Sequence, residues 1–106
     1  MYQSSLLNKQ GNRANAYLVK EILEADQKKL MLKIYDFAIV NSRKGDMART
    51  NKALDELITA LNFDVPEAKE TSIGLMRLYQ FCQDQMRKKE YAIVTQILTD
   101  LRDAGV

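Results

Sequence analysis

Nine of the eleven residues from Leu30 to Val40, LMLKIYDFAIV, are apolar or aromatic, and only Lys33 and Asp36 interrupt them. At about 100° per residue those two fall close together, on one narrow face of a helix. A helix built from this run is apolar over most of its circumference. Such a helix lies in the middle of a bundle, or it buries one face at home and offers another to a partner. Which of these fates applies determines what the chain does.

The rest of the sequence reads as helix. With 106 residues the chain is expected to form one domain large enough for a modest core. Four glycines and one proline are too few for a turn-rich all-β domain. Residues 1–14 are rich in Gln, Ser and Asn and read as a flexible arm, with Leu6 and Leu7 as its one apolar pair. From Asn15 onward, Leu18, Ile22 and Ala25 recur at helical spacing and lead into the run from Leu30. Asp26 between them could cap a second segment, yet one continuous helix fits the pattern as well.

Later boundaries are more sharply marked. Gly45 suits a helix C′ position, with Arg43 and Lys44 before it and Asp46 able to cap the next start. Met47, Thr50, Leu54, Leu57, Ile58 and Leu61 mark one face of a second helix, expected to end near Asn62. Asp64 and Pro66 are expected to open a third, with a core stripe of Ala68, Ser72, Leu75, Tyr79, Cys82 and Met86. Tyr91, Val94, Ile97, Leu98 and Leu101 mark a fourth, rotated by roughly 80° from the third, which predicts a tight turn between them. The expected fold is all-α: an antiparallel, up-and-down four-helix bundle over 15–106, preceded by a mobile N-terminal arm or a short extra helix.

Composition argues against most chemistry. There is no histidine, hence no usual general base and no Glu-x-x-His metal site. The single Cys82 lies on a core stripe and cannot form a CxxC pair or an internal disulfide. No phosphate-binding glycine motif occurs. The acids fall on polar faces and read as solvated surface. The expectation is a non-enzyme with no cofactor and no metal. Net charge divides as +5 over residues 1–52 and −3 over 53–106, but no basic face is interleaved with aromatics, so no nucleic-acid partner is expected. No run approaches ~18 apolar residues, and the first 15 residues lack a signal-like apolar core, so neither membrane insertion nor secretion is expected.

Surplus apolar helix surface suits groove binding of an amphipathic partner. Here a resemblance adds detail. Asn15 and Tyr17, then Leu30, Tyr35, Asp36, Ala38 and Ile39, then Leu61-Asn62-Phe63-Asp64, Leu78-Tyr79 and Leu101-Arg102-Asp103-Ala104 follow one another in order. This order resembles the flagellar export chaperones of the FliS family. There are departures. The family's Thr-Ala-Ser-Pro turn is Glu24-Ala25-Asp26-Gln27, its Gly after Tyr-Asp is Phe37, and Gly105 stands where Trp is common. The connections from Tyr35 to Leu61 and from Tyr79 to Leu101 are also short for the family.

The resemblance implies a cytoplasmic chaperone that binds the disordered C-terminal segment of flagellin. It would prevent premature polymerisation and keep the subunit competent for type III export, with the flagellar export apparatus as a further partner. The partner-binding residues it implies are Asn15, Tyr17, Ile22, Leu30, Ile34, Tyr35, Asp36 and Ile39. Tyr17 reads either as a client anchor or as packing for the arm. Tyr35 reads as a core ring with its hydroxyl at the surface, Asp36 as a structural hydrogen-bonding group, and the four aliphatic residues as core shared with groove. Leu6 and Leu7 could cover the groove when it is empty. Two other readings stay open: a structural protein that homodimerises through the apolar surface, and a family member with a different flagellar or regulatory client.

Overall fold

A computed structural model of the chain describes residues 13–105. The described residues form four helices and no strand: α1 Arg13–Arg43, α2 Met47–Thr59, α3 Pro66–Arg87 and α4 Tyr91–Asp103. The protein is an all-α four-helix bundle, with successive helices joined by connections of three to six residues. The arm expected over residues 1–14, with Leu6 and Leu7, lies outside the described residues except at Arg13 and Ala14, which belong to α1. By compactness the chain divides into two units, residues 1–30 and 31–106, and this division falls inside α1.

In the first unit, the described residues are one stretch of helix. No Gly or Pro occurs between Arg13 and Arg43, and Asp26 sits within the helix rather than capping a new one. The continuous alternative is the one realised, because Glu, Lys, Leu, Ala and Gln are all good helix formers. None of residues 15–30 is buried.

The second unit holds the core. Tyr35, Ala38 and Ile39 of α1 meet Ala53, Leu54 and Leu57 of α2, Tyr79, Cys82 and Met86 of α3, and Val94 and Leu98 of α4. Each cluster repeats at three- and four-residue spacing, which places it on one helix face. The expected stripes of α3 and α4 are borne out, with Ala68, Leu75, Tyr91, Ile97 and Leu101 half-buried at their edges. Met47 is a correction: it is the first residue of α2 and is exposed.

Local chemistry explains the joints. Asp46 caps α2, its carboxylate accepting from the Arg49 backbone N–H at 3.0 Å and from Arg49 Nη1 at 2.8 Å. Gly45 takes φ +74° and lies under the Tyr91 ring; a Cβ there would sit 2.9 Å from Tyr91 Cε2. α2 ends at Thr59, three residues before the expected Asn62. Asn62 instead builds the following turn, with Oδ1 accepting from Asp64 N–H at 3.0 Å and its carbonyl accepting from Ser72 Oγ at 2.8 Å. Asp64 therefore does not open α3. Val65 is its N-cap residue, without a side-chain bond, and Pro66 supplies the preset first helical φ.

The tight turn expected between α3 and α4 is present. It is made by Lys89 at φ 62°, a left-handed conformation in a residue with a Cβ. The Lys89 and Glu90 N–H groups bond back to the Met86 and Gln85 carbonyls, so the turn satisfies the end of α3 without glycine.

Candidate protein-binding surfaces

The helices also carry polar pegs that set their rotation. Tyr35 Oη and Tyr79 Oη lie 2.6 Å apart and both rings are buried. Burial, and for Tyr35 also the bond to Tyr79, pushes the pKa of each phenol upward, so both hydroxyls stay protonated and one donates to the other. Ser42 Oγ, fully buried, meets Thr95 Oγ1 at 2.7 Å. Gln83 Nε2 donates to the Asn51 carbonyl at 3.1 Å and to Asp55 Oδ1 at 2.7 Å. Such bonds are directional, so they fix which apolar residues face inward more tightly than packing alone.

Around this frame the expected partner-binding residues separate. Tyr35 and Ile39 are core residues, 1% and 6% exposed. Burial agrees with the core part of each reading, and the correction lies in the Tyr35 hydroxyl. The Tyr35 hydroxyl, expected at the surface, is taken inside by Tyr79, and Ile39 shares the inward face with Tyr35 and Ala38. Ile34 is half-buried against the core edge. Asp36 is exposed and accepts from Arg102 Nη1 at 2.6 Å, a structural role of the kind expected for it. In the first unit Tyr17, Ile22 and Leu30 are exposed and Asn15 is partly so.

Within residues 15–30 the exposed apolar side chains are Tyr17, Leu18, Ile22, Leu23 and Leu30. Leu18 and Ile22, four apart, stand one turn above each other, and Leu23 lies beside Ile22. Leu18 and Leu23 extend the expected set. For Leu18 the signal was present in the sequence as its four-residue spacing to Ile22, whereas Leu23, adjacent to Ile22, carried no such spacing.

Within residues 31–44 two interleaved stripes share one helix. Met31, Tyr35, Ala38 and Ser42 face the core, while Lys33, Phe37, Val40 and Lys44 are exposed. The second stripe has the same four-three-four spacing shifted by two residues. At about 100° per residue that shift is roughly 200°, so the stripes occupy opposite faces. Phe37 and Val40 border a shallow depression of about 610 Å³, also lined by Lys44, Asp46 and Arg49. A second depression of about 640 Å³, lined by Arg43, Lys89, Tyr91 and Gln96, is more polar.

Two further properties bear on chemistry. Burial pushes the Cys82 thiol up to about 11, so it stays protonated and unreactive near neutral pH. Among the described residues no group of three or more His, Cys, Asp or Glu is placed to hold a metal ion, and no helix is long and apolar enough to cross a membrane. The chain matches no protein-family model, and neither curated proteins nor solved structures provide a match.

Proposed function

We propose that this protein is a non-enzymatic binding module that holds a helix-forming segment of another protein. The client is proposed to be the C-terminal segment of flagellin, held in the cytoplasm before export. The observation that carries the reading is the set Tyr17, Leu18, Ile22, Leu23 and Leu30: five large apolar side chains exposed along one stretch of helix that buries nothing. A disordered client loses ordering entropy when it binds, and a long apolar contact offsets that loss better than one small pocket.

The resemblance names the client, and one feature of the fold supports it. Tyr35 and Asp36, Tyr79, and Arg102 belong to three separate stretches that carry the resemblance. They meet through the Tyr35–Tyr79 and Asp36–Arg102 bonds.

Calorimetric titration with a peptide of the last ~50 residues of flagellin tests the reading, with mass in solution measured alongside. The expected result is a monomer that binds with a large negative heat-capacity change. A tight dimer indifferent to the peptide overturns it in favour of a homodimeric structural protein.

A further inference from the structure

The outward stripe of α1 within the second unit has a charge pattern that the client reading does not use. Phe37 and Val40 are 47% and 46% exposed, one turn apart, beside the depression they help to line. Lys33 precedes them by one turn and Lys44 follows them by one turn. The two acidic neighbours of this face, Asp36 and Asp46, are already engaged. Asp36 is held by Arg102 at 2.6 Å, and Asp46 by Arg49 at 2.8 Å. Among the described residues Lys33 and Lys44 make no ion pair. Lys44 acts on Asp46 through space without pairing with it, so the face presents an apolar centre between two cations that make no ion pair, about 16 Å apart along the helical rise.

A second copy of the chain fits this face badly. A two-fold pairing that stacks Phe37 on Val40 of the other copy sets Lys33 against Lys44, and a parallel pairing sets each lysine against itself. Like charges brought together in either arrangement oppose association. A partner helix with apolar anchors between two carboxylates meets every group on the face.

We propose that the Lys33–Phe37–Val40–Lys44 face is a docking site for an acidic amphipathic helix of another protein, its apolar residues seated on Phe37 and Val40 and its carboxylates on the two lysines. This rests on the reading of the chain as a binding module and is independent of flagellin as the client.

The test uses a designed helical peptide with two central leucines and glutamates eleven residues apart, and a twin with lysines in place of the glutamates. Binding of each labelled peptide to the full chain is followed by fluorescence anisotropy. The glutamate peptide is expected to bind, and more weakly as salt rises. The Lys33→Glu/Lys44→Glu double variant is expected to lose about tenfold or more in affinity for it and to gain affinity for the lysine peptide. Phe37→Ala is expected to weaken binding about tenfold. All three residues are exposed, and circular dichroism checks that the variants fold.

Equal binding of the two peptides, no exchange of preference in the double variant, or no binding of the glutamate peptide overturns the proposal. So does concentration-dependent dimerisation abolished by Phe37→Ala, which assigns the face to a second copy. Failure of the flagellin peptide alongside the expected exchange removes the client and leaves this face standing. Binding of flagellin without the exchange does the reverse.

Discussion

Helix α1 contains two stretches that obey the same backbone rules and do different work. Residues 31–43 contribute Tyr35, Ala38 and Ile39 to the core, with Asn41 and Ser42 buried beside them. Residues 15–30 contribute no buried side chain, although they include Tyr17, Leu18, Ile22, Leu23 and Leu30. The difference does not come from apolar content. It comes from phase. Stepping back by sevens from Met31 and Tyr35, the sequence positions that would continue the core stripe are Glu24 and Lys28, then Tyr17 and Glu21. A core face needs an unbroken apolar phase, because an unpaired buried charge costs more than a neighbouring leucine returns. The lesson is that a greasy helix is not by itself a core helix.

The largest effect that can break this comparison is truncation on either side of it. Tyr35→Ala is expected to cost about 3–5 kcal/mol in chemical denaturation, as for a large buried ring. Ile22→Ala and Leu23→Ala are expected to stay within about 0.5 kcal/mol of the parent while weakening client binding. A large stability loss from Ile22→Ala would mean that the first stretch is a structural element after all.

Tyr35→Phe comes next, at about 1–2 kcal/mol, because it leaves the buried Tyr79 hydroxyl without its partner. Adding Tyr79→Phe is expected to recover part of that loss, and a double-mutant cycle measures the coupling. Additivity would assign the loss to packing alone.

Lys89→Gly sharpens the comparison from the opposite direction. A left-handed φ suits glycine, so the variant is expected to gain about 0.5–1 kcal/mol. Native-state hydrogen exchange then gives a readout by region. Amides of residues 35–43 are expected to slow with the global stability, and those of residues 15–30 to exchange as before. A uniform slowing would make α1 one cooperative element.

The smallest effect lies at the joint between α1 and α2. The backbone N–H of Arg49, and then its guanidinium, hold the Asp46 carboxyl below its ordinary pKa. A folded-state pKa below the unfolded value stabilises above about pH 4 and is lost as pH falls through the folded pKa. The gap in thermal midpoint between parent and Asp46→Ala is therefore expected to hold at neutral pH and to close in acid. A gap constant with pH would point to the helix start alone rather than to the charge.

Much of the second unit was legible because its signals are local. Gly45-Asp46, Pro66 and the stripe from Ser72 to Met86 act through neighbours within a few residues, and periodicity reports them directly. The turn at Lys89 was foreseen from the phase shift between two stripes, but not its left-handed residue, which has no chemical mark in the sequence. Asn62 was misread as a helix end because an Asx side chain serves a turn as well as a cap. The surface was legible only in part. Ile22 and Leu30 were expected to be shared between core and groove, and Tyr35 to show its hydroxyl to solvent; each choice depends on a neighbour distant in sequence.

The sequence alone determined that this is an all-α chain, where three of its helices begin, and which residues of each helix share a face. It could do so because helical periodicity and capping are short-range. Only the tertiary structure decided which face of the Leu30–Val40 run turns inward. Spacing sets the phase of residues relative to one another on a helix, but the rotation of that helix against its neighbours is set by contacts across the bundle. Tyr35 to Tyr79, Ser42 to Thr95 and Asp36 to Arg102 make that choice here, and in doing so they leave Phe37 and Val40 outside.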